Sequence, residues 1–250
     1  MKTVLFDLDG TLLPMDLEIF METYLKELAR KGAQLGFDGK ELVQVVLAGV
    51  EAMVKNDGTM TNSERFWQLF MAHFGGNMDE HIAVFEEFYE NDFPKVAKSV
   101  QPTPVANQAV QVLKEKGYGL VLATNPLFPK IATLERMRWA GINPQDFDLI
   151  TTYETSCFSK PSLDYYREIL DAIDAQPEEC LMIGNDVRED LPVVELGMQV
   201  YLVTDNLIKA DGVDISHVPQ GNRSEMLEYF RSLPRNLRGG QIHGKGKGLA

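Results

Sequence analysis

Five short runs rich in valine, isoleucine and leucine recur along the chain, and none of them alternates regularly between apolar and polar residues. Strands that are apolar on both faces are typical of a parallel sheet covered by helices on each side. Helical patterns separate the last four runs, which favours an α/β fold with a doubly wound parallel sheet. The predicted strands are residues 3–9, 118–125, 147–154, 180–186 and 200–205.

Capping residues mark the helices of this α/β part. Thr103 as N-cap and Pro104 at the first helical position predict a helix over 104–116, which ends at Gly117. Apolar residues at helical spacing predict three further helices. These cover residues 129–140, 161–174 and 189–196.

A helical segment interrupts the α/β pattern between the first run and the second. Residues 14–100 contain no convincing strand, and "TNSE" at 61–64 fits a capping box. The apolar residues of this segment recur at helical spacing. The predicted helices are residues 16–34, 39–55, 62–74 and 79–91.

These patterns predict two domains and a tail. Residues 1–13 and 100–232 form the α/β core domain, and residues 14–99 form an inserted α-helical domain. Residues 233–250 are glycine-rich and basic and contain no acidic residue, so we expect a disordered tail.

The net charge of −13 limits the partners. Nucleic acids and anionic membranes both require basic patches, so we expect neither as a partner. No apolar stretch reaches 18 residues, and two acids interrupt the short apolar run of the N-terminus, which therefore does not resemble a signal peptide. Two cysteines, Cys157 and Cys180, do not make a disulfide framework. We therefore expect a cytoplasmic protein.

Polar residues follow four of the predicted strands at the point where each strand ends. Because the carboxyl ends of parallel strands meet at one edge of the sheet, we expect these side chains to form one cluster. Taken singly, each has a structural explanation, such as capping a turn or lying on the surface, but their convergence favours a site. The residues are Asp7, Asp9, Gly10, Thr11, Thr124, Asn125, Lys160, Asp186 and Asp190.

The chemistry of this cluster suits phosphoryl transfer. Four carboxylates favour a hard cation such as Mg²⁺, and no cysteine and histidine set has zinc spacing. An ionised Asp7 can act as a nucleophile, and Asp9 can exchange a proton if its pKa is raised. Lys160 balances negative charge. Thr124, Asn125 and the backbone N–H groups from Asp9 through Gly10 to Thr11 are expected to hold phosphoryl oxygens.

Four motifs of the sequence resemble those of the haloacid dehalogenase superfamily. They are "FDLDGT", "LATN", "SKP" and "GNDVRED", in this order and each at a predicted strand end. The resemblance covers residues 1–13 and 100–232. The helical insert lies where subclass I members carry their cap domain.

The resemblance implies a role for each matching residue. Asp7 is the nucleophile that becomes an aspartyl-phosphate, and Asp9 is the general acid and base. Mg²⁺ is bound by Asp7, by the backbone carbonyl of Asp9 and by Asp186, with Asp190 in support. Thr124 and Lys160 hold the phosphoryl group. The second aspartate of the first motif favours phosphate chemistry over dehalogenation.

The predicted function is a Mg²⁺-dependent phosphatase that acts on a small phosphorylated metabolite, as a monomer or homodimer. A phosphoryl transferase of the β-phosphoglucomutase type is an alternative within the same class. A non-catalytic binding module is a further alternative, although such a module is expected to have lost one of the four motifs.

Several residues of the insert have two interpretations. The aromatic residues Phe66, Trp67, Phe70 and Phe85 are predicted to form the core of the insert rather than a substrate pocket. Asp16, Leu17 and Phe20 are the first residues after the first motif that could reach substrate.

Cys157 has no histidine close in sequence to activate it, so we expect no catalytic role for it.

Overall fold

The computed structural model describes residues 1–236, and within this range the strands form one six-stranded parallel sheet. The strand order is β3-β2-β1-β4-β5-β6, so the first strand is central. The α/β fold with a parallel sheet is therefore confirmed. The strands are β1 (Thr3–Phe6), β2 (Gly119–Leu122), β3 (Leu149–Ile150), β4 (Cys180–Gly184), β5 (Gln199–Val203) and β6 (Gln220–Gly221).

Successive residues of each central strand are buried on opposite faces of the sheet, as the two-residue period of a strand requires. In β1, Val4 and Phe6 pack on one face and Leu5 on the other. The first face is covered by α5 (Pro104–Glu115), α6 (Lys130–Trp139) and α8 (Arg223–Ser232), and the second by α7 (Leu163–Ala172). Burial on both faces explains why the runs do not alternate.

The structure corrects the sequence analysis at the C-terminal half of the core. The helix predicted at 189–196 is a six-residue 3₁₀ segment, Leu191–Leu196, with a proline in its first turn. Strand β6 and helix α8 were not predicted, although Asn222 and Glu225 form a capping box at the start of α8.

Four helices and a 3₁₀ segment, Phe93–Ser99, lie between β1 and α5. Residues before and after this insert pair with each other, because the N–H of Gln101 donates to the carbonyl of Pro14 at 2.9 Å. The helices are α1 (Leu17–Gln34), α2 (Gly39–Val54), α3 (Asn62–Phe74) and α4 (Met78–Asn91).

The start of α3 connects the insert to the core. The backbone N–H of Asn62 donates to the carbonyl of Ser156 at 2.8 Å, and its side-chain amide donates to the carbonyls of Pro126 and Phe158. Asn62 is completely buried, so these bonds satisfy a polar side chain that water cannot reach. They attach α3 to the loops that follow β2 and β3.

The first residues of the predicted tail contact the core. The N–H of Asn236 donates to the carbonyl of Lys116 at 2.7 Å, and the hydroxyl of Tyr118 donates to the carbonyl of Pro234 at 2.9 Å. The rest of the predicted tail, 237–250, lies outside the described residues. None of the helices within residues 1–236 combines the length and the apolar character that a membrane span requires.

Candidate active site

The predicted site residues meet at the carboxyl ends of the central strands. Asp7 directly follows β1, where its N–H donates to the carbonyl of Ile183 in β4 at 2.9 Å. On the other side, the N–H of Ala123 donates to the carbonyl of Phe6 at 2.7 Å. The polar segments after β1, β2 and β4 therefore lie side by side.

Lys160 forms the centre of the charge network. Its amine lies 2.9 Å from Asp7 Oδ1 and 2.7 Å from Asp190 Oδ1, and its side chain is inaccessible to solvent. Burial alone lowers the pKa of this lysine. The carboxylates of Asp190 and Asp7 raise it, and the net pKa lies well above its ordinary value. Lys160 is therefore a fixed positive charge beside Asp7.

Asp190 connects Lys160 to the loop after β4. Its Oδ1 faces the lysine, and its Oδ2 accepts from the N–H groups of Asn185 and Asp186, both at 3.0 Å. A Cβ on Gly184 would lie 2.0 Å from Asp190 Oδ2, so this approach requires glycine. With both oxygens engaged, Asp190 holds the loop in place. Its expected support of a metal ion stays a prediction.

Thr11 faces Asp7 from the opposite side to Lys160. Its buried hydroxyl lies 3.0 Å from Asp7 Oδ2 and 2.8 Å from Asn185 Oδ1. The two oxygens of Asp7 thus have different partners, a lysine and a hydroxyl. These contacts restrict the rotation of the carboxylate.

The expectation that Gly10 and Thr11 hold phosphoryl oxygens through their N–H groups differs from the structure. The N–H of Gly10 donates to the carbonyl of Leu13 at 2.8 Å, and that of Thr11 donates to the carbonyl of Leu8 at 3.2 Å. Both donors are therefore used within the turn. Gly10 has a φ of 83°, and a Cβ there would lie 2.3 Å from the amide of Asn185. Its role in this arrangement is to form the turn.

Arg223 supports the same turn and was missed by the sequence analysis. This buried residue at the start of α8 donates to the carbonyls of Thr11 and Gly10 and to Asn206 Oδ1. The guanidinium has several donors, which satisfy carbonyls that the turn leaves unpaired. The capping box of α8 positions Arg223, but no local pattern points to its distant partners.

Asp9 forms a salt bridge with Arg136, a residue of α6 that the sequence analysis also missed. The Arg136 side chain is almost inaccessible to solvent, and its guanidinium carbon lies 4.4 Å from the centre of the Phe128 ring. The carboxyl oxygen Oδ1 of Asp9 is buried without a hydrogen-bond partner. Burial raises the pKa of Asp9, Arg136 opposes this effect, and the net pKa is raised.

A raised pKa lets the Asp9 carboxyl carry a proton at a higher pH than an ordinary aspartate. A raised pKa of Asp9 is the condition under which the sequence predicted proton transfer by this residue. Arg136 engages Oδ2, so a proton on Asp9 would lie on Oδ1, which has no competing partner. Asp9 also lines the cavity described below.

The segment after β2 is held by its neighbours. The carbonyl of Thr124 accepts from the hydroxyls of Thr151 at 2.7 Å and Tyr165 at 2.8 Å. The side chain of Asn125 accepts from the N–H of Lys160 at 3.2 Å and donates to Glu189 Oε1 at 2.9 Å. Thr124 and Asn125 both line the cavity, as expected of phosphoryl-binding residues.

Glu189 is a further site residue to which the sequence analysis assigned no role. Burial raises its pKa to about 7, while Lys160 opposes the shift. Glu189 lines the cavity and accepts from Asn125. The motif "GNDVRED" contains this residue, but its burial depends on the packing of the loop after β4.

Asp7 and Asp186 are the acids best arranged for a cation. Both line the cavity, and Asp186 uses Oδ1 to accept from the N–H groups of Arg188 and Glu189. Within residues 1–236, no three histidine, cysteine, aspartate or glutamate side chains gather into a metal site. The predicted ligand set, which is Asp7, the backbone carbonyl of Asp9 and Asp186 with Asp190 in support, stays a prediction. Two carboxylates still fit Mg²⁺, which is usually bound by one or two carboxylates together with water and substrate oxygens.

A cavity of about 830 Å³ opens above these residues. Its floor consists of the polar strand ends, and its walls come from the helical insert and from core residues such as Leu127, Phe128 and Tyr153. Phe66, Trp67 and Phe85 line it, whereas only Phe70 of the four aromatic residues lies entirely in the core of the insert. Asp16 and Leu17 also line the cavity. Phe20 is instead buried in the core.

The sequence and the fold agree with a known family. A family model described as haloacid dehalogenase-like hydrolase matches residues 1–195. The chain belongs to this family. The predicted resemblance is confirmed, and the motif residues that carried it are those that surround Lys160 in the structure.

Relatives of this haloacid dehalogenase-like hydrolase include named phosphatases. The chain is 26% identical over 227 residues to a glyceraldehyde 3-phosphate phosphatase of Methanothermobacter thermautotrophicus, covering 84% of this chain and 89% of the relative. It is 27% identical over 190 residues to a phosphoglycolate phosphatase of Aquifex aeolicus, covering 74% and 76%. The prediction of an enzyme of the phosphatase type is thereby confirmed at the level of the family.

A solved structure shares the fold. The crystal structure of a phosphatase of this superfamily from Thermococcus onnurineus superposes with a TM-score of 0.58 and 19% identity. The match covers 94% of this chain and all of the other. At this identity the likeness concerns the fold alone.

Proposed function

We propose that the chain is a Mg²⁺-dependent phosphatase that hydrolyses a small phosphorylated metabolite through an aspartyl-phosphate on Asp7. The proposal depends on one arrangement at the floor of the cavity. Lys160 and Thr11 each hydrogen-bond one oxygen of the Asp7 carboxylate, and Asp9, whose buried Oδ1 has no hydrogen-bond partner, lines the same cavity. A fixed nucleophile beside a proton donor is the combination that phosphomonoester cleavage requires.

In the first step, a carboxylate oxygen of Asp7 attacks phosphorus. The bond between phosphorus and the alcohol oxygen breaks, and this oxygen takes the proton of Asp9. In the second step, the ionised Asp9 removes a proton from water, whose oxygen attacks the phosphorus of the aspartyl-phosphate. The bond to Asp7 breaks, which releases inorganic phosphate and restores both carboxyl groups.

The positive charges of the site support both steps. Lys160 compensates negative charge beside Asp7, and Thr124 and Asn125 line the space where phosphoryl oxygens would lie. Mg²⁺, held by Asp7 and Asp186, would neutralise part of the charge of the phosphoryl group.

We further propose that residues 14–99 act as a cap domain on a core formed by residues 1–13 and 100–232. The insert supplies most of the walls of the cavity, and the core supplies its floor and the rest of the walls. The pairing of Gln101 with Pro14 brings the two connections of the insert together, as a hinge between two domains requires.

The test is hydrolysis of p-nitrophenyl phosphate with Mg²⁺, with EDTA, and by Asp7→Asn. We expect activity with Mg²⁺ in the unmodified chain and in the control variant, and none with EDTA or in Asp7→Asn. Asp164→Asn is the matched control, because it neutralises an exposed acid at the start of α7. Activity that survives in both EDTA and Asp7→Asn would contradict the mechanism.

The role of Asp9 has its own test. In Asp9→Asn we expect slow turnover and a phosphoenzyme that can be trapped by acid quench and released by hydroxylamine. Turnover at the unmodified rate would remove Asp9 from the proton-transfer role.

A further inference from the structure

The walls of the cavity are hydrophobic well beyond what a small polar metabolite needs. Every side chain that α2 contributes is aliphatic, namely Val46, Leu47, Val50 and Met53. Helix α3 contributes only Phe66 and Trp67. A phosphoryl group on the polar floor would therefore direct the rest of its molecule toward apolar side chains.

The hydroxyl groups of two tyrosines of this wall are hydrogen-bonded to each other. The hydroxyls of Tyr24 and Tyr89 hydrogen-bond to each other at 3.0 Å, and both residues are buried. Burial raises the pKa of Tyr24 to about 12 and holds that of Tyr89 well above its ordinary value, so both remain neutral. One hydroxyl donates to the other, and both tyrosines belong to the cavity lining, to which their rings add apolar surface.

The charges on the lining side chains have one sign. Among the described residues that line the cavity, all the ionisable acidic and basic side chains other than tyrosine are carboxylic acids, including Asp16, Glu18 and Glu189. The two nearest cations, Lys160 and Arg136, are already paired with acids and do not belong to the lining. A second anionic group on the substrate would meet carboxylates and no opposing cation.

Exposed hydrophobic side chains surround the opening. Leu17 of α1, Leu47 of α2 and Ile208 of the loop after β5 line the cavity, although they are 47%, 42% and 37% exposed. These side chains come from three separate elements and face one cavity. A hydrophobic group in the cavity would remove them from water.

We propose that the substrate is a monophosphate ester of a hydrophobic alcohol, with an alkyl, isoprenyl or aryl group and no second charge. This inference rests on the proposed phosphatase function and names its substrate class. The cavity volume of about 830 Å³ lies within the range of about 300–1,000 Å³ that holds a drug-sized ligand. The substrates named for the two relatives, glyceraldehyde 3-phosphate and phosphoglycolate, are small and polar, so the proposed class differs from both.

The test is a series of phosphate monoesters with Mg²⁺, from ethyl through butyl and hexyl to octyl phosphate, below their aggregation concentrations. Burial of one methylene changes a binding constant about fourfold, and ordering of the chain reduces this gain. We expect kcat/KM to rise about two- to fourfold per methylene, and at least about tenfold from butyl to octyl phosphate. Geranyl phosphate and 1-naphthyl phosphate then distinguish isoprenyl from aryl preference.

Two variants on the same helix locate the effect. Leu47→Gln places an amide on the wall, and we expect the ratio of kcat/KM for octyl over ethyl phosphate to fall about threefold or more. Val54→Gln is the matched control, because Val54 is 43% exposed on α2 and does not line the cavity. The ratio is expected to remain unchanged in this control.

A binding measurement distinguishes the proposed phosphatase function from the proposed hydrophobic substrate class. Octylphosphonate, which cannot be hydrolysed at its P–C bond, is expected to change the fluorescence of Trp67 and to bind at least about tenfold more tightly than ethylphosphonate. Loss of all ester hydrolysis with this preference intact would overturn the phosphatase function alone. Hydrolysis that does not increase with chain length, or that is fastest for 2-phosphoglycolate, would overturn the hydrophobic substrate class alone.

Discussion

Lys160 lies between two buried carboxylates, and replacing it with methionine tests whether it holds the site together. Its amine is within 2.9 Å of Asp7 and 2.7 Å of Asp190. The side-chain exposures of Lys160, Asp7 and Asp190 are 0%, 10% and 1%. Methionine has a similar length and fills the same space, so the substitution mainly removes the charge.

The expected loss of stability follows from this burial. Removing one partner of a buried ion pair typically costs about 3–5 kcal/mol, because the remaining charge has no compensation. For a chain of this size, 1 kcal/mol shifts the melting temperature by about 2–4 °C, so we expect a decrease of about 6–20 °C. The double variant Lys160→Met/Asp190→Asn removes one of the two stranded charges and is expected to recover at least about 1 kcal/mol.

The assay is equilibrium unfolding in EDTA, so that no divalent cation can replace the lysine. Lys98→Met is the matched control, because this lysine is 64% exposed in its salt bridge with Glu27. An exposed pair contributes little, so the control is expected to lie within about 1 kcal/mol of the unmodified chain. A loss below about 1 kcal/mol in Lys160→Met, or no recovery in the double variant, would refute this account of the buried network.

Two further substitutions test the residues that only the structure revealed. Arg136 acts through Asp9 and does not line the cavity. Arg136→Met is therefore expected to lower kcat about 10- to 100-fold, while KM changes less than about threefold. Arg136→Lys keeps the positive charge and is expected to recover part of the rate. A fall confined to KM would contradict a positioning role. Burial raises the pKa of Glu189 from 4.5 to about 7, so between these values the folded chain retains a proton that the unfolded chain has lost. The titration of Glu189 therefore lowers the free energy of unfolding as pH rises through this window, by at most about 3 kcal/mol. Glu189→Gln is expected to reduce the difference in the free energy of unfolding between pH 5 and pH 8, measured in EDTA. An unchanged difference would mean that Glu189 titrates normally in the folded chain.

The local features of the fold were predictable because their causes lie within a few residues. The apolar runs that form β1, β2 and β4 were located, and Thr61 with Glu64 forms the predicted capping box of α3. Asp7 is the first residue after β1 and Thr124 is the second after β2, as the predicted clustering at strand ends requires. Parallel strands bring such positions together whatever their separation along the chain.

The sequence did not predict which aromatic residues of the insert line the cavity. A helix that lines a cavity and a helix that packs into a core both present an apolar stripe, so the sequence does not separate the two cases. Phe66 and Phe70 lie one turn apart on α3, yet only Phe66 lines the cavity. The docking of α3 on the loops after β2 and β3 decides which residue does so.

Sequence alone determined the parallel sheet, the helical insert and the identity of the acids and the lysine at the strand ends, because periodicity and short motifs encode them locally. Only the tertiary structure decided that Arg136 forms a salt bridge with Asp9 and that Arg223 donates to the carbonyl of Gly10. It also decided that both oxygens of Asp190 accept hydrogen bonds from neighbouring residues. These contacts join residues 127 and 213 positions apart in the first two cases. Such pairs depend on how whole elements pack, and burial then sets the pKa of the groups that they enclose.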